Sequence, residues 1–301
     1  MTLGLEEGYT ALRTAAVGRV AARDGVVVEG PDASSWLQGQ VTQDLEGLRV
    51  GEARETLVLS PRGKVDAAGR VWRRAGERFV VEVAAGFGDA LEARLRRFKL
   101  RVKASLERTS LRVVECRGPG AEALRRDGSV AVDWPGFVGW DLLLEKGESP
   151  PALQAADDAV FEAARIEAGM PLLGRELTEA TIPQEAGEAF VAKTVSFTKG
   201  CYTGQELVAR IDARGSNVPR RLCGVVCEAP GLSPGDVLVS GESRAGEVTS
   251  VAWSPGLHAV VALAYLKRPF SPPLDVVVRG MAAGEGAGAA AEVRALPLLN
   301  R

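Results

Sequence analysis

Eight consecutive residues, Lys199-Gly200-Cys201-Tyr202-Thr203-Gly204-Gln205-Glu206, concentrate most of the chemistry this chain can offer. A cation, two glycines, a thiol, a phenol, an amide and a carboxylate are too polar and too glycine-broken for a core element. Glycine costs about 0.5–1 kcal/mol against alanine inside regular structure, so a pair of them points to backbone that bends or approaches something closely. The helically spaced Leu207, Val208 and Ile211 follow at once. The octet therefore reads as a loop that presents Cys201 at the start of a short element, beside Lys199. A neighbouring cation and positive backbone N–H groups would lower the thiol pKa and raise the thiolate fraction. Such a thiolate could act as a nucleophile or redox group, or lend one soft ligand to iron. A buried structural cysteine is the third reading. One cysteine cannot hold a cluster alone, because such sites take four ligands as a rule. Gln205 and Glu206 read as structural, with Glu206 able to pair with Arg210 at i,i+4.

The elements that must position this loop are legible in part. Val26–Glu29 reads as a strand broken by Gly30-Pro31-Asp32, with Asp32 as N-cap of a helix through Trp36 and Leu37. Residues 52–59 form a strand that ends in the turn signal Pro61-Arg62-Gly63-Lys64. Val65–Trp72 and Arg78–Val83 make a hairpin, residues 87–98 an amphipathic helix, and Val102 to Leu106 a strand. A second round follows: a strand over Leu111–Cys116, a helix over Pro119–Arg126, a strand within Phe137–Glu145, and a helix over Ala155–Ala168 closed by Gly169. Two such rounds predict ferredoxin-like α+β layers over residues 1–215, divided near residue 110. From Ser216 the texture becomes short β-rich runs separated by Gly/Pro turns, which predicts a C-terminal antiparallel β-barrel or sandwich over 216–301. The Gly/Ala-rich residues 282–290 read as a loop.

Composition excludes several function classes. The 301 residues carry a formal net charge of −2, with 46% hydrophobic and 25% charged residues, which is ordinary for a globular protein and gives no reason to expect a direct hold on nucleic acid. The basic run from Arg94 to Lys103 alternates with apolar residues and reads as a solvated face, a local RNA or partner contact being the other reading. The sequence contains one histidine, His258, which removes dyad and triad chemistries that need a second. The four cysteines form no CxxC pair, so no zinc site or other metal centre is expected. Cys116, Cys223 and Cys227 sit in apolar runs and read as packed thiols. No run approaches 18 apolar residues and the N-terminus lacks a signal-peptide pattern, so no membrane partner and a cytoplasmic location are expected.

The octet resembles the signature of the YgfZ family, folate-binding proteins tied to the maintenance of iron–sulfur enzymes, which share the fold of the glycine cleavage T-protein, an aminomethyltransferase. Arg165-Ile166-Glu167-Ala168-Gly169 with Pro171 is similar to the segment upstream of that signature. Ser60-Pro61-Arg62-Gly63-Lys64 and the stretch from Gly30 to Asp44 resemble its first domain. The resemblance spans nearly the whole chain in the right order. It implies α+β domains around a central channel, a C-terminal β-barrel, and tetrahydrofolate or a derivative as cofactor. It also implies that Glu167 receives the adjacent N–H and amino group of the pterin ring, a charge-assisted pair that fixes orientation. Arg210, Arg214, Arg220 and Arg221 would meet the glutamyl carboxylates, for which the planar arginine fork is suited. Tyr202 would stack on the ligand or hydrogen-bond within its loop.

The same resemblance raises a question about catalysis. Aminomethyl transfer by T-proteins relies on an aspartate after the glycine-rich turn, and the segment Gly63-Lys64-Val65-Asp66-Ala67-Ala68-Gly69 puts Ala67 or Ala68 at that place, with Asp66 beside it. Loss of a general acid/base costs about 10²–10⁴-fold. The leading expectation is a folate-binding accessory protein whose Cys201 serves iron–sulfur cluster assembly or repair, with indirect effects on tRNA modification and iron–sulfur proteins as partners. The alternatives are a folate-dependent aminomethyltransferase or demethylase that uses Asp66, and a scaffold for protein partners that binds no folate.

Overall fold

The computed structural model describes residues 1–280 and 288–299. Its elements in chain order are α1 (Leu5–Thr14), β1 (Val17–Glu29), α2 (Ala33–Gln40), β2 (Ala53–Leu59), β3 (Val65–Ala75), β4 (Arg78–Ala84), α3 (Gly88–Arg97), β5 (Ser105–Arg117), β6 (Val130–Trp134), β7 (Phe137–Leu143), α4 (Asp158–Ala168), α5 (Glu188–Thr194), α6 (Gln205–Asp212), β8 (Arg220–Cys227), β9 (Val237–Ser240), β10 (Ser243–Ser254), β11 (Ala259–Lys267), β12 (Leu274–Arg279) and β13 (Ala289–Arg294). Strands β1 to β7 make one antiparallel sheet in the order β2-β3-β4-β1-β5-β7-β6. The two α+β rounds thus share a sheet. Its axis is the pair β1 and β5, in register from Val17 opposite Arg117 to Glu29 opposite Ser105, so residue 110 lies inside a continuous strand. Strands β8 to β13 close into a separate six-stranded barrel, as the turn spacing predicts.

The sheet has two unlike faces. Val26, Val28, Val71, Phe79 and Val81 point to the side that α2 and α3 cover with Leu37, Leu91 and Leu95. Period-2 alternation sends Arg23, Val27, Arg70, Trp72, Val80, Glu82, Val113, Glu115, Asp141 and Leu143 to the other. On that second face Val27, Trp72, Val80, Val113 and Leu143 cluster into an apolar plug, while the charged members gather beside it. Arg70 on β3 reaches Asp141 on β7, although β4, β1 and β5 lie between those strands. Side chains span that distance only because the sheet curls around its second face, making it concave. Gly69 permits a tight approach of β3 to β4, since a Cβ there would stand 1.8 Å from the Glu82 carbonyl oxygen.

Helix α4 fills the space between sheet and barrel. Ile166 packs into an apolar group with Leu222, Val261, Leu263 and Tyr265 of the barrel wall, while Val160, Ala163 and Ala164 pack with Tyr9 and Leu12 of α1. The helix starts at Asp158 rather than Ala155, because Ala155 and Ala156 are engaged in short bridges to Gly18 and Leu3. It ends where expected, at Gly169 in the left-handed conformation with φ +74°. The helix expected over Pro119–Arg126 is one 3-10 turn, Ala121–Leu124, cut short by Gly118 and Gly128, both at positive φ. Of the expected loop 282–290, residues 282–287 lie outside those described, and Ala289 and Ala290 already belong to β13. No described helix is long and apolar enough to cross a membrane.

Candidate functional site

The concave side of the sheet, closed below by the apolar plug, opens as a cavity of about 520 Å³ that α4 and the segment after it roof. Its floor is a chain of ion pairs across five strands. Arg19 and Arg23 of β1 both meet Glu115 of β5, the first at 2.8 Å. Arg23 also approaches Glu82 at 3.4 Å, and Arg70 holds Glu82 at 2.9 Å from the other side. Arg117 meets Asp141 at 2.6 Å, and the Trp72 indole N–H donates to Glu82 at 2.6 Å. Burial opposes ionisation of Asp141, yet the Arg117 and Arg70 guanidinia outweigh it and bring its pKa down to about 2. Buried charges survive only when paired and hydrogen-bonded in this way.

The roof carries a second polar group. Arg165 donates to Glu162 through Nε at 2.9 Å and Nη2 at 2.7 Å, to the Ser250 hydroxyl at 2.7 Å and to Glu176 at 3.2 Å. Arg175 also meets Glu162, at 2.5 Å, and its side chain remains 47% exposed at the cavity mouth. Burial works against the Glu162 charge, but the hydrogen bonds and charge of Arg165 and then Arg175 bring its pKa below the ordinary value. Glu55 completes the set of acids. It stands opposite Arg70 in the β2–β3 register, so it faces the cavity, and among the described residues it has neither an ion pair nor a hydrogen bond. A second cavity of about 880 Å³ lies between the barrel and α5 and shares Met170 and Phe190 with the first.

Comparison with known proteins gives this architecture its context. Residues 220–298, the barrel, match the family described as the glycine cleavage T-protein C-terminal barrel domain. An aminomethyltransferase of Rubrobacter xylanophilus is 30% identical over 318 residues, covering 92% of this chain and 82% of that protein. This chain belongs to the aminomethyltransferase family. Its relatives include the tRNA-modifying protein YgfZ of Edwardsiella ictaluri, 31% identical over 224 residues that make up 63% of this chain and 65% of that protein. The crystal structure of glycine cleavage system aminomethyltransferase T from Bartonella henselae shares the fold, with a TM-score of 0.76 at 19% identity over 98% of this chain and 89% of that one.

Within this aminomethyltransferase fold, the residues singled out by sequence do not converge on one cavity. Glu167 is fully buried and its carboxylate is turned onto α1 and β10, accepting from the Tyr9 hydroxyl at 2.7 Å and from the Ser254 hydroxyl. Burial raises its pKa, only partly offset by those hydrogen bonds. Helical spacing sends Glu162 and Arg165 into the cavity, and Glu167 is not among the residues that line it. Asp66 falls at a register irregularity of the β2–β3 pair, where Val58 is opposite Ala67 and Leu59 opposite Val65, and it does not line the cavity. It is held by Arg94 at 2.9 Å, and Arg94 is fixed in turn by the Leu59 carbonyl and the Gln40 side chain. The β3 residues on the cavity wall are Ala68, Gly69 and Arg70.

The octet occupies another surface. Lys199 is 8% exposed, and its ammonium donates to the backbone carbonyls of Gln38, Val41 and Gln43 at 2.6, 2.8 and 3.0 Å. Burial pulls its pKa down to about 8. All three protons are spent on tying the end of α2, so the lysine braces the loop. Tyr202 is buried under Lys199, with its ring centroid 5.3 Å from Nζ, which leaves no open face for stacking. Cys201 is a free, exposed thiol just before α6, and it lines neither cavity. The loop sits against the turn 60–64, where a Cβ on Gly204 would stand 2.5 Å from the Ser60 carbonyl oxygen. Two segments far apart in sequence thus form one surface.

The arginines expected to receive a glutamyl tail are dispersed. Arg210 is exposed on α6, and the pair with Glu206 does not form among the described residues. Arg220 is taken by Glu185 at 3.2 Å and stacks 4.0 Å from the Tyr265 ring centroid. Arg221 is exposed and borders the second cavity, and Arg214 is exposed beyond α6. None of the four lines the channel. The strand residues that do, Arg19, Arg23, Glu55, Arg70 and Glu115, carry a signal that sequence reading passed over: charged residues at alternate positions of otherwise apolar strands.

Proposed function

We propose that this protein is a folate-binding accessory member of its family, of the YgfZ type, that works in the cytoplasm in support of iron–sulfur cluster assembly or repair and through it affects tRNA modification. The observation that carries the reading is the wall of the channel. The resemblance puts Ala67 or Ala68 where transfer chemistry needs an acid, Ala68 lines the cavity, and the neighbouring carboxylate, Asp66, is committed to Arg94. A cavity of about 520 Å³ suits a ligand of folate size. Leu57, Val83 and Phe190 offer apolar wall, the ion-paired floor offers fixed donors and acceptors, and Arg175 at the mouth offers a cation for glutamyl carboxylates. Tetrahydrofolate would bring one-carbon carrier chemistry to that cavity; the chain's part is to bind and orient it. The exposed Cys201, outside the channel, suits transient delivery to a partner protein rather than a stable cluster.

Calorimetric titration of tetrahydrofolate, paired with a turnover assay for an aminomethyl donor, tests this reading. It predicts binding without turnover, and failure of Cys201→Ala to restore cluster-dependent enzyme activity in a strain lacking the protein. No binding to the folded protein removes the folate part; full restoration by Cys201→Ala removes the thiol's role. A second reading, aminomethyl transfer, is favoured by the match to aminomethyltransferases over 92% of the chain, with Asp66 as its candidate acid. Turnover that disappears in Asp66→Asn would establish it.

A further inference from the structure

We propose that the segment from Arg97 to Lys103, between α3 and β5, is the docking surface for an acidic protein partner that takes Leu100 into an apolar recess, a role that deepens the delivery reading above and rests on it. Between Glu92 and Glu107 the sequence holds six cations and no acid, in a chain whose net charge is −2. Arg94 is taken by Asp66 and Arg96 by Glu92. The side chains of Arg97, Lys99, Arg101 and Lys103 have no ion pair or hydrogen bond among the described residues. Exposed arginines elsewhere do find acids, as Arg78 finds Glu29 and Arg244 finds Glu247. Amid the four free cations stands Leu100, 81% exposed, more than any other large apolar side chain among the described residues except the N-terminal Met1.

The segment is held at both ends. The Trp36 indole N–H donates to the Phe98 carbonyl at 3.3 Å. The Asp32 carboxylate accepts from the Lys103 N–H at 2.7 Å. Asp32 stands at the N-cap of α2, yet its side chain makes no cap hydrogen bond there; it is spent on the loop instead. Between these anchors Arg101 adopts φ +56°. Side chains rarely take that left-handed conformation, and it persists where the surrounding structure imposes it, often at ligand clamps and switch regions. A loop fixed beforehand in its presenting form loses less entropy on association.

The chemistry favours a protein over a nucleic acid. Phosphates would use the cations and leave Leu100 in water, whereas an acidic face with an apolar recess uses both, as an anchor with a charged rim. The aromatic residue of the segment, Phe98, is half-buried with the Arg94 guanidinium 3.9 Å from its ring centroid, so the loop has no free ring for base stacking. A short chain of contacts leads from the loop to the octet. Arg94 donates to the Gln40 side chain at 3.3 Å, and the neighbouring Gly39 carbonyl accepts from the Thr203 N–H at 3.2 Å. A partner seated on Leu100 is thereby brought to the flank that carries Cys201.

The test compares the full-length wild type with the triple variant Lys99→Ser, Leu100→Ser, Arg101→Asn, asparagine being tolerated at positive φ. In a strain lacking the protein, the triple variant is expected to fail to restore cluster-dependent enzyme activity, while its melting temperature and the labelling rate of Cys201 match wild type. Plant-type apo-ferredoxin, an iron–sulfur protein with an acidic surface, and a single-stranded oligouridylate serve as probes in fluorescence anisotropy. The ferredoxin is expected to bind wild type more tightly at low salt than at high salt, and to bind the triple variant about 10-fold more weakly or worse. Leu100→Ser alone, at a site that packs on little of the fold, should act in the same direction. Full restoration of enzyme activity by the triple variant overturns the docking surface, whatever Cys201→Ala does. Failure of the triple variant beside full restoration by Cys201→Ala leaves the docking surface standing and removes the thiol's role. Equal ferredoxin affinity for wild type and variant, or none for either, overturns the protein partner, as does oligouridylate binding that is tighter than ferredoxin binding and is lost in the triple variant.

Discussion

The four cysteines differ by environment alone. Cys116, Cys223 and Cys227 are buried and Cys201 is exposed; burial pushes the Cys116 and Cys223 thiols up to about 11. Thiolate is the reacting form, so a thiol reagent at pH 8 should label one equivalent rapidly in the native protein, at Cys201, and all four only after denaturation. Fast labelling of a second cysteine would contradict the burial. Glu167 gives a pH-dependent counterpart. Its pKa is raised by burial, so the folded state retains a proton that the unfolded chain has released, and stability falls as pH rises through that window. Glu167→Gln removes the titration. The melting temperature of the variant relative to wild type should therefore rise between pH 4 and pH 7, and a flat difference would refute the shift. At this scale the sequence made Cys201 legible because a polar, glycine-rich setting cannot be core. It left the partners of Glu167 and Lys199 unread, because a motif names residues without telling which way a helix face or an ammonium turns.

Elements were legible where one face is apolar and the other wet. Residues 87–98 gave α3 nearly to the residue, and the β-rich runs after Ser216 gave the barrel strands. Strand β1 was read only from Val26, yet it starts at Val17. Arg19 and Arg23 occupy its concave face, and buried charges erase the alternation that marks a half-buried strand. The turn between β2 and β3 shows the reverse, a signal stronger than its local meaning. Gly63 has φ +70°, and a Cβ there would stand 2.7 Å from the Leu207 Cβ and 3.1 Å from the Gly204 carbonyl oxygen. Gly63→Ala would strain the backbone and push α6 away together. A loss of about 1–3 kcal/mol in urea unfolding is expected, with faster proteolysis near Cys201; an unchanged midpoint would mean that the turn and α6 adjust independently.

At the scale of the molecule the central fact is a sheet curled by charge. Arg70 draws β3 toward β7 over the width of three strands and holds two carboxylates that have little access to water. Removing one partner of a buried pair costs about 3–5 kcal/mol. Arg70→Met should lower stability by that order in chemical denaturation, with the shape of the channel lost as well; a loss below 1 kcal/mol would show that water replaces the guanidinium. None of this closure could be read from sequence, because it joins residues 71 positions apart through a curvature that no local pattern encodes.

Helix α4 has one more consequence. Its sides are spent on α1, on the channel and on the outer wall of the barrel, and Glu167 near its end depends on Ser254 of the barrel for one of its two hydrogen bonds. A chain cut at residue 215 would strip that wall away, leaving Ile166 facing water and Glu167 with Tyr9 alone. The boundary that composition draws there is one of texture. In thermodynamic terms the two parts share a keystone, and neither can be lifted out, grafted or exchanged between relatives without rebuilding the surface where α4 meets β10 and β11.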